Sequence, residues 1–332
     1  MTETAELAAI AALGVRLRDA GLTTRALVAW AGTARVSALP ARLDAMAAEP
    51  TAAGAILALF VAGAELARDR LRTLSGPVIE LLVAHGLVER VADRLRARLA
   101  IVPVGAALVV CDRLDAAIER DLVCWPDDSS HHLATAIPPG RRADWLDLGC
   151  GSAFAPLARP ELAHRIAGVD INPRAVRCAQ LGAALSGISH VTAARGDVGD
   201  AHPAAELVTC NAPMPDPGGD APARDRLRGA IPEVWRRADP EFFARLWPAL
   251  PRAVRPGGMI VVHGASDAVV PALADAPGER VVVTYTPDGV PGFAVAWWRP
   301  DAPARWAAAR RSLAPDRPHV DPRDREDALV AR

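Results

Sequence analysis

One stretch of the chain constrains its fold more than any other. Residues 144–153 read DWLDLGCGSA, and residues 168–173, after a further apolar run, read GVDINP. This order predicts a strand, a glycine turn that opens a helix, and a second strand that ends in a carboxylate. In such a unit the backbone of the turn can approach a nucleoside closely, and the second acid can accept hydrogen bonds from ribose hydroxyls. A βα turn without a ligand is the alternative, which the two acids make less favoured.

The spacing within this stretch separates two classes of nucleoside ligand. A dinucleotide site requires glycine or alanine at the sixth position of G-x-G-x-x-G, where this chain has Phe154. An additional acid, Asp147, precedes the first glycine by two residues, where its carboxylate would repel a pyrophosphate. The same carboxylate would attract the ammonium group of S-adenosylmethionine. The spacing therefore favours S-adenosylmethionine over NAD.

Composition excludes several classes of protein. The 332 residues carry a net charge of −1. The chain therefore has no overall basic excess that would indicate a nucleic-acid partner. The five cysteines are scattered and form no C-x-x-C pair, which argues against disulfides and structural zinc and favours a reducing cytoplasm. The longest apolar run, residues 52–64, is too short to span a bilayer, and the acidic start MTETAE does not resemble a signal peptide. We expect a cytoplasmic protein without bound metal or membrane contact.

The chain length predicts about two domains. Residues 1–112 look mainly helical and end in a candidate β-hairpin with arms 94–99 and 108–111, which is the order of a winged-helix-like domain. Residues 113–142 are then a linker that covers the cofactor, residues 143–300 the catalytic domain, and residues 301–332 a charged C-terminal tail. Within that tail, residues 306–313 are a candidate short helix.

Strands alternate with helices through the predicted catalytic domain, which indicates a parallel sheet of the Rossmann-like type. Seven strands are predicted, and the last two are close enough in sequence to form an antiparallel pair. They cover residues 145–148, 166–169, 189–193, 207–210, 259–263, 281–285 and 293–298.

A second chemical motif follows the fourth predicted strand. Residues 208–214 read VTCNAPM, at the edge of the sheet where open α/β folds bind ligands. An amide or aryl amine nitrogen is a poor nucleophile because its lone pair is delocalised. The side-chain oxygen of Asn211 and the carbonyl of Ala212 can accept its N–H groups and direct the lone pair toward a methyl group, without a strong base. Pro213 would keep this loop rigid, and Met214 would line the acceptor pocket.

The segment ahead of the glycine turn carries further candidates. Residues 124–132 read CWPDDSSHH, and such a segment can cross over the cofactor. Ser130 and His131 could then contact the methionine carboxylate of the cofactor or the acceptor, with His131 as a candidate general base. The alternative is a solvated loop in which Asp128 or Ser129 caps the next helix.

These motifs together resemble those of class I S-adenosylmethionine-dependent methyltransferases. The 144–153 stretch resembles their D-x-G-x-G motif, and residues 211–214 resemble the Asn-Pro-Pro-Tyr motif of enzymes that methylate planar nitrogens. Ala212 and Met214 depart from that second pattern. The catalytic half is similar to the group that contains the N5-glutamine methyltransferases of release factors and the ribosomal RNA guanine-N2 enzymes. The likeness covers roughly residues 1–300 and is strongest over 143–215.

The resemblance implies a class I fold, S-adenosylmethionine as the cofactor, and a set of cofactor contacts. These contacts would be made by Asp147, Gly149, Cys150, Gly151, Asp170, Ile171, Asp197 and Asn211. The acid at 197 follows the third strand, where it often accepts from the adenine amino group. The resemblance does not fix the acceptor, because members of the group methylate protein, RNA or small molecules.

Two other functions remain open. One is a small-molecule O-, N- or C-methyltransferase, in which a general base such as His131 would matter more than Asn211. The other is a winged-helix regulator that senses a ligand. Its candidate recognition helix, residues 78–85, has no arginine or asparagine to read bases. We therefore expect no DNA binding, and a first domain that selects the acceptor or joins two copies in a homodimer.

Overall fold

The structure is a computed structural model that describes residues 3–32, 39, 52–114, 121–213, 240–286 and 292–312. Met214 and the tail beyond residue 312 lie outside the described residues. The helices are α1 Glu3–Asp19, α2 Thr24–Ala31, α3 Ala52–Phe60, α4 Gly76–Ala84, α5 Asp128–Ala136, α6 Phe154–Ala158, α7 Pro173–Ser186, α8 Pro240–Ala253 and α9 Ser266–Ala274. The strands are β1 Leu66–Ala67, β2 Val88–Val91, β3 Arg94–Ala97, β4 Ala100–Val104, β5 Ala107–Cys111, β6 Arg142–Leu148, β7 Ala163–Asp170, β8 Val191–Arg195, β9 Ala205–Asn211, β10 Val254–Ala265, β11 Glu279–Thr286, β12 Phe293–Arg299 and β13 Arg305–Ser312.

A large, mostly parallel sheet organises the second half of the chain. Its eight strands lie in the order β13-β11-β12-β10-β9-β6-β7-β8. Strand β12 runs antiparallel to both of its neighbours, while the remaining pairs are parallel. The predicted α/β architecture and its terminal antiparallel pair are confirmed. Because the order reverses between β6 and β9, the carboxyl ends of these two strands flank the crevice where such sheets bind ligands.

Successive side chains of the sheet alternate between two hydrophobic layers. One layer includes Trp145, Leu207 and Val261, and the other includes Leu146 and Val208, the next residues on β6 and β9. Helices α8 and α9 cover the second layer, and α5, α6 and α7 cover the first. Side chains at odd-numbered positions of these strands therefore face α5, and this register decides which residues meet at the carboxyl edge.

Seven strands are predicted, but the described sheet has eight, so the predicted count is wrong by one. The prediction of a helix at 306–313 is also wrong. Residues 305–312 form β13, which pairs in parallel with β11 along its whole length. Three consecutive alanines favour a helix locally, but β11 offers this segment an edge of unpaired N–H and C=O groups. Tertiary pairing overrides the local preference, and the guanidinium of Arg280 lies over the ring of Trp306, 5.7 Å from its centre.

The described residues up to Cys111 form helices and two small antiparallel units. Strands β1, β3 and β2 make a three-stranded sheet, and β4 pairs with β5. The predicted hairpin between 94–99 and 108–111 is therefore wrong in its pairing, since Arg94–Ala97 pairs back with Val88–Val91. The turn between them contains Ala92 at φ 53°. A left-handed turn normally has glycine or asparagine there, so the usual sequence signal is missing.

Helix α1 packs closely on α7, which follows the glycine turn and β7. A Cβ atom at Gly14 would come within 1.8 Å of the carbonyl oxygen of Leu185, so only glycine allows this approach. The guanidinium of Arg18 donates to the same carbonyl at 3.1 Å. Ser186 Oγ accepts from the backbone N–H of Leu108 on β5 at 2.9 Å. One hydrophobic core thus runs from α1 to the parallel sheet.

Candidate active site

The turn after β6 has the shape that its glycines predict. Gly149 and Gly151 adopt φ values of 66° and 53°, and no atom lies within 4 Å of where a Cβ would stand on either. The N–H groups of Gly149 and Cys150 donate to the carbonyl of Val169, at 2.8 and 3.0 Å. The turn is thereby tied to the end of β7. The open space beside both glycines lets a ligand approach the backbone closely, as a nucleoside cofactor requires.

The carboxylate of Asp170 ends β7 beside this turn. One oxygen accepts from the N–H of Gly151 at 2.8 Å and the other from the N–H of Asn172 at 2.9 Å. Burial raises the pKa of this carboxyl group, and the two backbone N–H groups act in the opposite direction. Each oxygen keeps a lone pair that can accept from a hydroxyl. The next side chain, Ile171, is 61% exposed and offers an apolar surface for a flat ring.

Asp147 is buried at the end of β6 and belongs to a three-residue hydrogen-bonded chain. Its carboxylate accepts from the hydroxyl of Thr209 at 2.5 Å, and that hydroxyl accepts from the indole N–H of Trp145 at 2.6 Å. Thr209 is the residue directly opposite Asp147 on β9. Burial raises the pKa of Asp147 to about 7, with Asp170 adding to the shift and the Thr209 hydroxyl opposing it. A cation bound beside Asp147 would therefore stabilise the charged form of this buried carboxylate.

Cys150 contributes to the site through its backbone. Its sulfur packs against Gly168, where a Cβ atom would come within 2.8 Å of Sγ. Burial raises the pKa of the Cys150 thiol well above its usual range, so it stays protonated at neutral pH. A buried, protonated thiol is a poor nucleophile.

Asn211 is the last residue of β9, and both the oxygen and the nitrogen of its side-chain amide make hydrogen bonds. Its oxygen lies 2.7 Å from Nδ1 of His263, its direct partner on β10, and its nitrogen donates to Ser129 Oγ at 3.0 Å. His263 in turn lies 2.5 Å from the hydroxyl of Tyr285 on β11. The neighbouring Ala212 is tied to the same strand, because its N–H donates to the carbonyl of His263 at 2.8 Å. Pro213 is the last described residue of this loop.

Within the segment ahead of the glycine turn, α5 begins at Asp128, so residues 128–132 are helical and only the residues before them form a loop. Asp127 caps α5, its carboxylate accepting from the N–H of Ser130 at 3.2 Å, so the predicted caps Asp128 and Ser129 are wrong. The structure brings Ser129 to Asn211, whereas Ser130 turns its hydroxyl toward Asp127. His131 is buried in α5 with its ring edge-on to Phe154, 4.7 Å between ring centres. Its role as a base stays a prediction.

Asp197, the predicted adenine contact, lies after β8 in a compact turn. Its carboxylate accepts from the N–H of Gly199 at 2.8 Å and pairs with Arg245 of α8 at 3.1 Å. An adenine amino group would therefore share this carboxylate with a guanidinium. The cofactor contact of Asp197 stays a prediction.

Two contributors to the site, His263 and Tyr285, have no local sequence signal. Thr209 and Ser129 lie within the motifs at 208–214 and 124–132, but these motifs do not predict their contacts with Asp147 and Asn211. His263 and Tyr285 are buried near the ends of β10 and β11, and their rings group with Phe293 of β12. Like Asn211, all three occupy odd-numbered positions and therefore lie on the face of the sheet that α5 covers. Aligning the carboxyl ends of the predicted strands and keeping odd-numbered positions on one face would have identified His263. No motif in the sequence marks it.

The described residues contain no group of three or more His, Cys, Asp or Glu side chains arranged to hold a metal ion. Within the same residues, no helix has the length and apolar character needed to cross a membrane.

In comparisons with known proteins, the chain is similar to several solved structures of methyltransferases. One is the T. thermophilus 16S rRNA N2 methyltransferase RsmC in complex with AdoMet and guanosine, at 20% identity and a TM-score of 0.42 over 63% of this chain and 46% of that chain. A predicted O-methyltransferase from Agrobacterium tumefaciens matches at 17% identity and a TM-score of 0.42, over 61% and 98% of the two chains. The B. subtilis tRNA methyltransferase TrmK matches at 16% identity and a TM-score of 0.37, over 52% and 66%.

The chain thus spans less than half the length of RsmC. No family model matches the sequence. No curated protein matches it either.

Proposed function

We propose that this protein is an S-adenosylmethionine-dependent methyltransferase that acts on a planar nitrogen, an amide or an aryl amine. One observation carries the proposal: the ends of β6 and β9 place the buried acid Asp147 and the amide of Asn211 on the same face of neighbouring strands. The two belong to segments more than 60 residues apart, and Asp147 lies opposite Thr209, two residues before Asn211. A site for a cationic cofactor and a site for an acceptor are thereby adjacent.

The residues at the carboxyl ends of β6 and β7 fit the cofactor. Asp147 would hold the ammonium group, since a buried carboxylate with a raised pKa gains from a cation. Asp170 would accept from the ribose hydroxyls, Ile171 would contact the adenine ring, and the backbone of Gly149 and Gly151 would lie against the nucleoside. When bound, S-adenosylmethionine supplies a methyl group on a positively charged sulfur.

Asn211 would orient the acceptor nitrogen. An amide oxygen has two lone pairs and an amide nitrogen two hydrogens, and the contacts with His263 and Ser129 use one of each. The second lone pair of Asn211 can accept an N–H of the acceptor, and the carbonyl of Ala212 can accept another. Such orientation turns the nitrogen lone pair toward the methyl group and requires no strong base.

The first hundred residues would select the acceptor or join a second copy, as a winged-helix-like domain without a DNA-reading face. Helix α4 carries Glu80, whose carboxylate binds the guanidinium of Arg90 on β2 at 2.6 Å, and it has no arginine of its own. Salt-dependent binding of the full-length protein to one duplex sequence in preference to others would contradict this assignment.

The competing function is a small-molecule methyltransferase that acts on oxygen or carbon and depends on His131 as its base. A single comparison separates the two. Labelled S-adenosylmethionine is incubated with the wild type, Asn211→Ala and His131→Ala, in extract fractionated into protein, RNA and small metabolites. We expect Asn211→Ala to lose most methyl transfer into the fraction that the wild type modifies. The planar-nitrogen proposal is wrong if His131→Ala loses transfer while Asn211→Ala keeps it.

A further inference from the structure

A hydrogen-bonded chain of five side chains passes through Asn211. The hydroxyl of Tyr285 lies 2.5 Å from Nε2 of His263, and Nδ1 of His263 lies 2.7 Å from the amide oxygen of Asn211. The amide nitrogen of Asn211 donates to Ser129 Oγ at 3.0 Å, and the hydroxyl of Ser129 donates to Asp127 at 2.5 Å. The chain joins β11, β10 and β9 to the residues at the start of α5.

The position of each proton in this chain follows from the chemistry of its members. The carboxylate of Asp127 can only accept, so the hydroxyl of Ser129 donates to it and accepts from the amide nitrogen of Asn211. The amide oxygen of Asn211 therefore faces Nδ1 of His263, which carries a hydrogen and donates it. Burial, with His132 nearby, lowers the pKa of His263 to about 3, so its ring is neutral at physiological pH. Nε2 therefore carries no hydrogen and accepts a hydrogen bond from the hydroxyl of Tyr285. Every hydrogen bond then points the same way, from Tyr285 to the carboxylate of Asp127.

This polarity fixes the amide of Asn211 in one orientation. Rotating the amide by 180° would set its NH₂ group against the N–H of His263. It would also leave Ser129, which donates to Asp127, without a hydrogen to give the amide oxygen. The oxygen of Asn211 therefore stays on the side of β10, and its nitrogen stays on the side of α5.

We infer that His263 and Tyr285 are positioning residues for Asn211: by donating to Nε2, the hydroxyl of Tyr285 stabilises the Nδ1–H tautomer of His263, and this tautomer holds the amide of Asn211 in place. The tautomer and the amide orientation are properties of the protein alone. Their consequence for methyl transfer rests on the function proposed above for Asn211.

The surroundings of His263 keep this arrangement neutral. The rings that face it are those of His132 from α5, Tyr285 from β11 and Phe293 from β12, at 6.5, 5.9 and 5.8 Å between centres. Burial raises the pKa of the Tyr285 hydroxyl well above its usual range, and the acids Asp127 and Asp128 add to the shift. Tyr285 therefore remains a hydrogen-bond donor at physiological pH.

The tautomer is measured directly by long-range ¹H–¹⁵N NMR on full-length protein labelled at its histidine nitrogens. His263→Asn identifies the signal by its loss. We expect His263 to be a neutral Nδ1–H tautomer from pH 6 to pH 8. Tyr285→Phe, which keeps the ring, and Asn211→Ser should each shift it toward a mixture of tautomers. An Nε2–H tautomer or an imidazolium in the wild type, or two variants with the wild-type spectrum, would overturn the inference.

The effect on catalysis is measured with labelled S-adenosylmethionine and the extract fraction that the wild type methylates. Tyr285→Phe should lower turnover about tenfold, while the Kd for S-adenosylmethionine measured by calorimetry stays within about twofold of the wild type. His263→Asn places an amide nitrogen near the position of Nδ1 and should retain more turnover than His263→Leu. A purely structural role predicts no such rescue, because leucine fills the apolar surroundings better.

The two proposals fail in different ways. If Asn211→Ala keeps methyl transfer while His263 shows the expected tautomer, the planar-nitrogen function is wrong and the account of Asn211 orientation stands. If Asn211→Ala abolishes transfer while Tyr285→Phe and His263→Leu both turn over like the wild type, His263 and Tyr285 are not positioning residues and the proposed function stands.

Discussion

The two halves of the sheet's carboxyl edge are built in different ways. At β6 and β7 the site consists of residues close in sequence: two glycines and two acids within 24 residues, in which backbone N–H groups of the turn bind the end of β7 and Asp170. At β9, β10 and β11 it consists of Asn211, His263 and Tyr285, which belong to separate strands and meet through side chains. The first half is shaped by local backbone conformation, and the second by the register of the sheet.

This difference implies that substitutions in the two halves affect different steps. The β6–β7 half would determine cofactor affinity, and the β9–β11 half would determine the rate of transfer once the cofactor is bound.

The largest effect is expected at Asn211. Asn211→Ala should lower the turnover of methyl transfer by roughly 10²–10³, the scale of losing one transition-state hydrogen-bond partner. Cofactor affinity should change little, because Asp147 and Asp170 are untouched. Turnover is measured with labelled S-adenosylmethionine, and affinity by calorimetry on the same preparations. A large loss of cofactor affinity in this variant would break the separation between the two halves.

The next effect is expected at Asp170. Asp170→Ala should weaken binding of S-adenosylmethionine by roughly 1–3 kcal/mol, the scale of a buried charge-assisted pair of hydrogen bonds. The fold should persist, which circular dichroism can check. Asp144→Ala is a matched control, since Asp144 lies on the neighbouring strand β6 but pairs with Arg165 and Arg255 away from the carboxyl edge. Equal losses in both variants would contradict a specific role for Asp170.

A smaller effect is expected from the ionisation of Asp147. Because its pKa is raised to about 7, this carboxyl group becomes protonated as the pH falls below neutrality and then attracts a cation less. Affinity for S-adenosylmethionine should therefore fall as the pH drops from 7 to 5, because the neutral carboxyl group no longer attracts the ammonium group by charge. Asp147→Asn should bind more weakly at pH 7 and lose most of this dependence. An unchanged pH profile in that variant would exclude Asp147 as the titrating group.

The sequence predicts most of the first half of the site and little of the second. The glycine turn, Asp147 and Asp170 follow from local signals, since strand, turn and acid are adjacent in the chain. The pairing of Asn211 with His263 depends on register between β9 and β10, whose paired residues are 52 positions apart. In the same way, the alanine-rich segment 305–312 is a strand because it pairs with β11 at the edge of the sheet. Long-range pairing of this kind leaves no trace in local composition.

Calorimetry with S-adenosylmethionine and, separately, with NAD tests the central claim most directly, because the whole assignment rests on the ligand that the glycine turn and its two acids accept. We predict that the wild-type protein binds S-adenosylmethionine with one site per chain, that Asp170→Ala weakens this binding, and that NAD gives no measurable heat. Tight binding of NAD with no binding of S-adenosylmethionine would contradict the account.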